Sequence, residues 1–292
     1  MVSHDPFTTA HDLLDDTFLK RLSTEIHGRF GIRLPITKKG LLATGLRRRM
    51  HSLGIMSLSE YNDILFGQED NDEREFVLLL DAMTSYTTKF FRHAQQFEFL
   101  AQTALPELIK IHGAGISRTL NLWSAGCATG EDPYTLAMVL CEFALHYPGI
   151  SFKSQILATD VSPKILDFAK NAIYEMEKTQ PIPDFLKKKY LLKSKDRRKS
   201  LARVVPSLRA MVNFRQLDFM DPSFALRERM DAIFCRNILS YFDRDTQERL
   251  VNKLCRHLVP GGYLFSGPSE SLQSLATPLI PLASSIYQLP NI

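Results

Sequence analysis

The stretch Leu122-Trp-Ser-Ala-Gly-Cys-Ala-Thr-Gly-Glu-Asp-Pro-Tyr134 combines signals for a strand, a glycine turn and a helix in immediate succession. Residues 118–123, which include Leu120, Leu122 and Trp123, predict a strand entering the fold. Residues 133–145 predict a helix, because Pro133 suits a first helical turn. Gly126 and Gly130 mark the turn between them. A strand, a glycine turn and a helix open a nucleotide-type α/β fold.

The glycine turn does not have the spacing of a phosphate-binding loop. It lacks both the G-x-G-x-x-G pattern and the Lys-Ser/Thr pair of a P-loop. Its acids, Glu131 and Asp132, would repel a phosphate. A cofactor with a cationic or zwitterionic end fits this turn better, and S-adenosylmethionine is one such cofactor. On its own, Gly-x-x-x-Gly also fits an ordinary tight turn.

A second strand and helix follow at residues 155–160 and 164–170. The strand ends in Asp160, and an acid at this position can accept two hydrogen bonds from a ribose diol. Asp160 could instead cap the following helix, although Ser162 with Pro163 already provides a cap. This pattern favours a ribose-binding role for Asp160.

Four blocks of sequence together resemble the CheR family, the chemotaxis receptor protein-glutamate O-methyltransferases. They are residues 83–92, 123–134, 231–243 and 267–271, in family order across nearly the whole chain. The resemblance implies an α/β fold with a doubly wound, mostly parallel sheet, which is the S-adenosylmethionine-dependent methyltransferase fold. It also implies an N-terminal all-helical domain and a small inserted antiparallel β-subdomain.

The resemblance also implies the site residues. Its cofactor contacts, to S-adenosylmethionine and the product S-adenosylhomocysteine, are Tyr86, Thr88, Arg92, Glu131, Asp160, Asp218, Phe219, Cys235, Arg236 and Asn237. Glu131 would face the cofactor's amino group. The contact from Tyr86 stays open, because the family usually has Asn there. Asp132 replaces the usual second Glu, and Pro268 replaces a common His.

The reaction implied by the resemblance is attack of a glutamate carboxylate on the S-methyl group. A carboxylate with an unperturbed pKa of ~4.3 is ionised at neutral pH, so placement matters more than a general base. Arg92 and Arg236 are the candidate positioning groups, with Arg236 by the incoming glutamate. Tyr241 can donate a hydrogen bond to the same carboxylate. The alternative for each arginine is a structural ion pair.

Composition indicates an ordinary globular protein of 292 residues with a net charge of +4. The four cysteines are widely spaced, which predicts reduced core thiols in a cytosolic protein and no metal site. The N-terminus has no apolar signal core, and no apolar run could span a bilayer. We therefore expect a cytoplasmic protein without direct membrane insertion. Nothing in the sequence suggests an obligate oligomer, so a monomer is expected.

The predicted domains are an N-terminal helical domain at 1–110, a methyltransferase domain at 117–292 and an inserted β-subdomain at 176–213. Apolar residues at Phe18, Leu22 and Ile26 follow helical spacing. The insert is rich in Lys and Arg and contains no glycine between residues 175 and 213. Alternation near residues 201–206 favours strands there over a long disordered loop.

A basic helix is predicted at residues 38–53, with Lys38, Lys39 and Arg47–Arg49 and no acid. Such charge runs are often only a solvated face. The resemblance favours a docking face for the acidic methylation helices of chemotaxis receptors, formed by Lys38, Arg47, Arg48 and Arg49. Family members that grip a receptor C-terminal peptide carry glycines in the insert, so the glycine-free residues 192–202 predict a tether-independent enzyme.

Two other functions compete with this reading. A nucleic-acid methyltransferase would fit the sequence pI of about 8.8, but Arg236-Asn237-Ile238-Leu239 stands where adenine-type enzymes carry Pro-Pro-aromatic. None of the four cysteines follows a proline, as cytosine-C5 enzymes require. We therefore expect no nucleic-acid partner. The second alternative is a methyltransferase-like binding module without turnover, suggested by Tyr86.

Overall fold

The computed structural model describes residues 16–34, 39–67, 73–83, 88–196 and 198–291. Contacts divide the chain into two compact units, residues 1–86 and 87–292. Each unit is described by itself below. Tyr86 and Lys38, two of the predicted site residues, lie outside the described residues.

The first unit is helical. Its helices are α1 (Asp16–Phe30), α2 (Lys39–Leu53), α3 (Leu58–Phe66) and α4 (Glu73–Met83). The predicted apolar stripe of α1 is confirmed, since Phe18, Leu22 and Ile26 are all buried. Helices α2 and α4 pack closely at Gly45, where a Cβ atom would lie 2.8 Å from the Cα atom of Met83. Only glycine permits that approach.

The second unit alternates strands and helices. Its helices are α5 (Ala94–Phe99), α6 (Leu105–His112), α7 (Glu131–Ala144), α8 (Pro163–Asn171), α9 (Asp184–Tyr190), α10 (Pro206–Arg209) and α11 (Arg244–Cys255). Its strands are β1 (Leu120–Ala125), β2 (Ser154–Asp160), β3 (Ile173–Glu175), β4 (Leu191–Lys193), β5 (Leu201–Val204), β6 (Val212–Gln216), β7 (Met230–Cys235), β8 (Leu258–Ser266), β9 (Ile280–Ala283) and β10 (Ile286–Gln288). A π-helical segment, Leu100–Ala104, joins α5 to α6.

Seven strands form the main sheet in the order β6-β2-β1-β7-β8-β10-β9. The first five are parallel, and β10 and β9 are antiparallel additions. Every residue of β1 and β7 is buried, as expected for central strands of a covered parallel sheet. The strand order reverses between β1 and β7, and ligands bind at such a switch point, outside the carboxyl ends of the strands. The predicted doubly wound fold is confirmed.

Three short strands form a separate antiparallel sheet in the order β3-β5-β4. This sheet confirms the predicted β-subdomain, with slightly different limits. It begins at Ile173, before residue 176, and the main sheet resumes at Val212. We call residues 172–211 the insert.

The domain boundary falls at residues 86 and 87, not near residue 110 as the sequence suggested. The reason is packing. Leu100, Leu105 and Leu108 lie in one buried cluster with Leu122 of β1, so the helices before β1 belong to the second unit. Strand β9 was also missed, because all four of its residues are exposed and show no alternation. No helix in the described ranges has the length and apolar character needed to cross a membrane.

Candidate active site

The loop after β1 is shaped by two glycines with positive φ. Gly126 has φ +74°, and a Cβ atom there would lie 1.6 Å from Ile238 Cδ1. Gly130 has φ +95°, and its Cβ would come within 2.9 Å of the Tyr174 hydroxyl. The N–H of Gly126 donates to the Thr159 carbonyl of β2 at 2.8 Å. A side chain at either glycine would be strained and would collide with a neighbour.

Glu131 lies at the start of α7 and is almost fully buried, at 1% exposure. Thr129 Oγ1 donates to its Oε2 at 2.5 Å. Its second oxygen, Oε1, is buried and has no hydrogen-bond partner among the residues that the structure describes. Burial raises the pKa of this carboxyl to about 7. A buried unpartnered acceptor is costly and therefore marks a place for a donor that binds from outside the chain.

Asp160 ends β2 and faces the glycine loop. Its carboxylate accepts from the Ala128 N–H at 3.0 Å and the Ser162 N–H at 3.1 Å. The helix cap is provided by Ser162, whose hydroxyl accepts from the Ile165 N–H at 3.2 Å. Asp160 therefore fastens the glycine loop to the end of β2.

Asp218 and Phe219, which the resemblance assigns to the adenine, follow β6. Asp218 accepts from the Met220 N–H at 2.8 Å, which forms a tight turn. A Cβ atom at Gly126 would lie 3.8 Å from Phe219, so this turn lies beside the glycine loop, residues 126–130. Lys253 of α11 donates to the Phe219 carbonyl at 2.9 Å. No sequence pattern indicates that α11 holds this turn in place.

Arg236 follows β7 and is the best-partnered side chain of the site, with its side chain 2% exposed. It forms a bidentate ion pair with Asp132, with a 2.9 Å bond from Nε. Its Nη1 donates to the Arg92 carbonyl at 2.6 Å and to Gln96 Oε1 at 2.9 Å. Gln96 in turn donates to the Ser266 carbonyl at 2.8 Å. This geometry matches the structural ion pair, the alternative left open for Arg236, because little of its donor capacity remains for a substrate.

Arg92 lies in a strained segment of backbone. Its neighbours Phe91 and His93 have φ of 52° and 61°, a left-handed region that non-glycine residues rarely occupy. Such strain persists only where surrounding contacts enforce it, and it clusters at functional sites. The bond from Arg236 to the Arg92 carbonyl is one such contact. Thr88 is half-buried just before this segment.

Tyr241 ends a 3-10 helix, Leu239–Tyr241, and is 40% exposed. Burial of its hydroxyl raises the pKa of the phenol, the charge of Glu270 raises it further, and the charge of Arg92 lowers it. The charge of Arg92 therefore acts on the Tyr241 hydroxyl.

Glu270 is a buried residue to which the sequence assigned no role. Its carboxylate accepts three backbone N–H groups: Asn237 at 2.8 Å, Gly267 at 2.8 Å and Ser240 at 3.1 Å. Asn237 itself has φ 61°. Glu270 therefore fixes the loop between β7 and Tyr241. Cys235, just before this loop, is fully buried, and burial raises the pKa of its thiol, so the thiol is not a reactive nucleophile. Its contact with the cofactor stays a prediction.

In the first unit, the predicted docking arginines do not share one exposed face. Arg49 points to α4, where it pairs with Glu75 at 2.7 and 2.6 Å, and the Tyr61 hydroxyl donates to the same carboxylate. Arg47 has Nε and Nη2 buried, and Arg48 alone of the three is exposed. Consecutive helical residues are rotated by about 100°, so a run of three arginines points in three directions.

Two protein-family descriptions match the chain. The CheR methyltransferase all-alpha domain matches residues 18–84, and the CheR methyltransferase SAM binding domain matches residues 86–287. The chemotaxis protein methyltransferase of Borreliella burgdorferi is 35% identical over 255 residues, covering 87% of this chain and 88% of that protein.

Two further relatives show the same relationship. Chemotaxis protein methyltransferase 1 of Pseudomonas aeruginosa is 37% identical over 248 residues, with 84% of this chain and 86% of that protein covered. The chemotaxis protein methyltransferase of Escherichia coli is 29% identical over 276 residues, covering 94% and 92%. The resemblance drawn from four sequence blocks is confirmed. This chain belongs to the CheR methyltransferase family and is an S-adenosylmethionine-dependent methyltransferase.

Proposed function

We propose that this protein methylates glutamate side-chain carboxylates on the cytoplasmic helices of chemotaxis receptors, as a cytoplasmic monomer. The observation that carries this proposal is the unpartnered, buried Oε1 of Glu131 beside the glycine loop. An ammonium group is the donor that a buried carboxylate accepts most favourably. The amino group of S-adenosylmethionine supplies it, and Asp160 is suited to the ribose hydroxyls.

When bound, S-adenosylmethionine supplies a methyl group on a positively charged sulfur. The acceptor glutamate is ionised at neutral pH, so the protein has to place it and exclude water. Arg92 and Tyr241 are suited to that task. A cation and a phenol hydroxyl can both donate to the carboxylate oxygen that does not attack, which leaves the attacking oxygen free to react with the methyl group.

The role that we propose for Arg236 is positioning rather than contact with the acceptor. Four hydrogen bonds tie it to the start of α7, to α5 and to the backbone of Arg92. Because it holds the Arg92 carbonyl between two left-handed residues, it sets the direction of the Arg92 side chain. Asp132 serves the same purpose by neutralising Arg236.

We propose further that the protein acts without a receptor C-terminal tether. Strand addition to the small sheet would use β3 or β4 as its edge, and each has only three residues. Long basic side chains follow β4 directly, and a side chain obstructs the close backbone approach that strand addition requires. Calorimetry with a receptor C-terminal aromatic-acidic pentapeptide should show no heat of binding, whereas micromolar affinity would contradict tether independence.

Methyl transfer from tritiated S-adenosylmethionine to receptor cytoplasmic fragments tests the reaction itself. We expect label that is released as volatile methanol in base, because a carboxyl methyl ester hydrolyses there and an N-methyl product does not. Cofactor binding without transfer to any receptor fragment would support the binding-module alternative. Base-stable label, or transfer to RNA but not to receptor fragments, would contradict glutamate methylation.

A further inference from the structure

Positive charge is concentrated in the insert. Residues 172–211 contain eleven Lys and Arg against four Asp and Glu, a net charge of +7, although the whole chain carries only +4. Residues 1–86 contain ten Lys and Arg against thirteen Asp and Glu, a net charge of −3. The remaining residues contain fifteen of each and are neutral. The unit that contains the predicted basic docking helix is therefore acidic overall, whereas the insert is strongly basic.

A hydrogen bond joins the insert directly to the glycine loop. The hydroxyl of Tyr174, in β3, donates to the Thr129 carbonyl at 2.8 Å, and Tyr174 is fully buried. A 3-10 helix, Met176–Thr179, follows at once and carries the exposed Lys178. Burial raises the pKa of the Glu131 carboxyl, and the positive charge of Lys178 partly offsets that rise. The charge of Lys178 therefore acts on the Glu131 carboxyl.

The 3-10 helix that carries Lys178 is bonded to a second basic segment of the insert. The Met176 N–H donates to the Ser200 carbonyl at 2.9 Å, which places the end of the loop between β4 and β5 beside the 3-10 helix. That loop and the end of β4 carry further basic side chains. We define the basic surface as Lys178, Lys193, Lys195, Arg198 and Lys199, all of them exposed.

Most of this charge is not neutralised within the protein. Arg198 pairs with Asp196 at 3.3 Å, with the arginine side chain 91% exposed. The four lysines of the basic surface have no carboxylate within ion-pair distance among residues that the structure describes. By contrast, Lys189 of α9 is bound to Glu142 at 2.8 Å. The basic surface thus leaves its charges available to a partner, whereas α2 offers a single exposed arginine.

We infer that the basic surface of the insert, rather than α2, is the docking face for an acidic polypeptide segment that carries the glutamate to be methylated. This inference rests on the proposed function. The insert is bonded to the glycine loop through Tyr174, and Lys178 acts on the Glu131 carboxyl, so a segment whose glutamate reacts in the site can place its flanking carboxylates over the other lysines. Opposite charges attract over ~8 Å at physiological ionic strength, so the surface also guides the segment before contact.

The position of the surface favours a protein partner. An anionic membrane or a nucleic acid would need no continuity with the catalytic pocket, whereas a protein substrate has to reach it. The surface adjoins the site, because Tyr174 bonds the insert to the glycine loop and the charge of Lys178 acts on Glu131. The partner is therefore a polyanionic chain that is held along the insert while one of its carboxylates reacts.

The test compares two triple variants with equal change in charge. The first, Lys193→Glu with Lys195→Glu and Lys199→Glu, reverses the basic surface. The control, Lys153→Glu with Arg229→Glu and Arg256→Glu, reverses exposed residues just before β2, β7 and β8, at the opposite end of the sheet. Binding of poly-L-glutamate is measured by calorimetry, and KM is measured for a receptor cytoplasmic fragment.

We expect the first variant to weaken poly-L-glutamate binding and to raise the fragment's KM by at least about tenfold at low salt, with cofactor affinity unchanged. Added salt should weaken the wild type much more than this variant. The control should stay within about twofold, and so should Arg48→Glu in α2. Equal effects of the two triples, or a larger effect of Arg48→Glu, would overturn the inference.

Two additional measurements separate the alternatives. Vesicles of phosphatidylcholine and phosphatidylglycerol (3:1) are offered to the same variants. If the first variant loses vesicle binding while the fragment's KM is unchanged, the surface is a lipid-binding face and the inference fails. Poly-L-glutamate binding does not require turnover, so a wild type that binds it but transfers no base-labile methyl refutes the proposed function and leaves the docking face standing.

Discussion

Arg236 and Glu131 lie in neighbouring corners of the site and differ in how fully their polar atoms are partnered. Arg236 is 2% exposed and bonds to a carboxylate, an amide and a carbonyl. Glu131 precedes Asp132, the ion-pair partner of Arg236, and is also buried. One of its carboxylate oxygens has no hydrogen-bond donor among the described residues. The closed corner holds the site in shape, and the open corner receives a ligand. Two adjacent acids, Glu131 and Asp132, thus serve opposite purposes.

Removing the charge partner in the closed corner should have the largest effect. Asp132→Ala leaves the Arg236 guanidinium buried and unpaired, which we expect to lower the free energy of unfolding by about 3–5 kcal/mol. Urea denaturation measures this. The control is Asp167→Ala, which breaks the exposed pair with Lys170 and should cost no more than about 0.5 kcal/mol. Equal losses would mean that Arg236 does not depend on Asp132.

At the open corner, removing the charge should stabilise the protein, because without a ligand the buried, ionised Glu131 carboxylate lowers the free energy of unfolding. Burial raises the pKa of Glu131 from 4.5 in the unfolded chain to about 7. The folded state therefore holds this proton more tightly, and stability falls as the pH rises from about 4.5 to about 7. Between pH 5 and pH 8 we expect wild type to lose about 2–3 kcal/mol relative to Glu131→Gln. The comparison uses cofactor-free protein.

Urea denaturation at several pH values gives this difference directly. Any constant effect of the Gln amide cancels, because only the change with pH is compared. Asp167→Asn, which neutralises an exposed carboxylate, serves as the control and should follow the wild-type curve. Parallel curves for wild type and Glu131→Gln would show that the Glu131 carboxyl titrates in the ordinary range.

Asp160, the last residue of β2, fastens the glycine loop through a hydrogen bond from the Ala128 N–H. Asp160→Ala removes the acceptor for the ribose hydroxyls, and bonds to a charged group contribute roughly 1.5–3 kcal/mol each. We expect S-adenosylmethionine affinity to fall at least about tenfold by calorimetry. Asp167→Ala on α8, which follows β2 directly, should bind the cofactor as wild type does. Unchanged affinity in Asp160→Ala would remove Asp160 from the ribose site.

The fold could be predicted from the sequence, because the patterns that indicate its strands and helices are local. Buried parallel strands are continuous apolar runs, and glycines and helix caps mark their ends, as at Gly126 and Ser162. Strand β9 could not be predicted, because its four exposed residues show no alternation of apolar and polar side chains. The boundary at 86 was also hidden, because both sides of it are helical and only packing against β1 separates them.

The site was harder to predict, because the sequence shows the residue types but not their hydrogen-bond and ion-pair partners. Arg236 stands after an apolar strand whether it binds substrate or Asp132, and only the distances separate the two roles. Glu270 accepts two N–H groups from a loop about 30 residues away in the sequence, which no spacing rule predicts. In α2, three adjacent arginines looked like one basic face, but the helix turns Arg49 inward to Glu75.

Proton balance on cofactor binding tests the open corner most directly. Calorimetry at pH 7 in buffers of different ionisation enthalpy gives the number of protons released when S-adenosylmethionine binds. If its amino group pairs with Glu131, the carboxyl must ionise, and with a pKa of about 7 it is roughly half protonated beforehand. Wild type should therefore release on the order of half a proton more than Glu131→Gln. An identical proton balance in the two proteins would contradict the assignment of Glu131 to the cofactor's amino group.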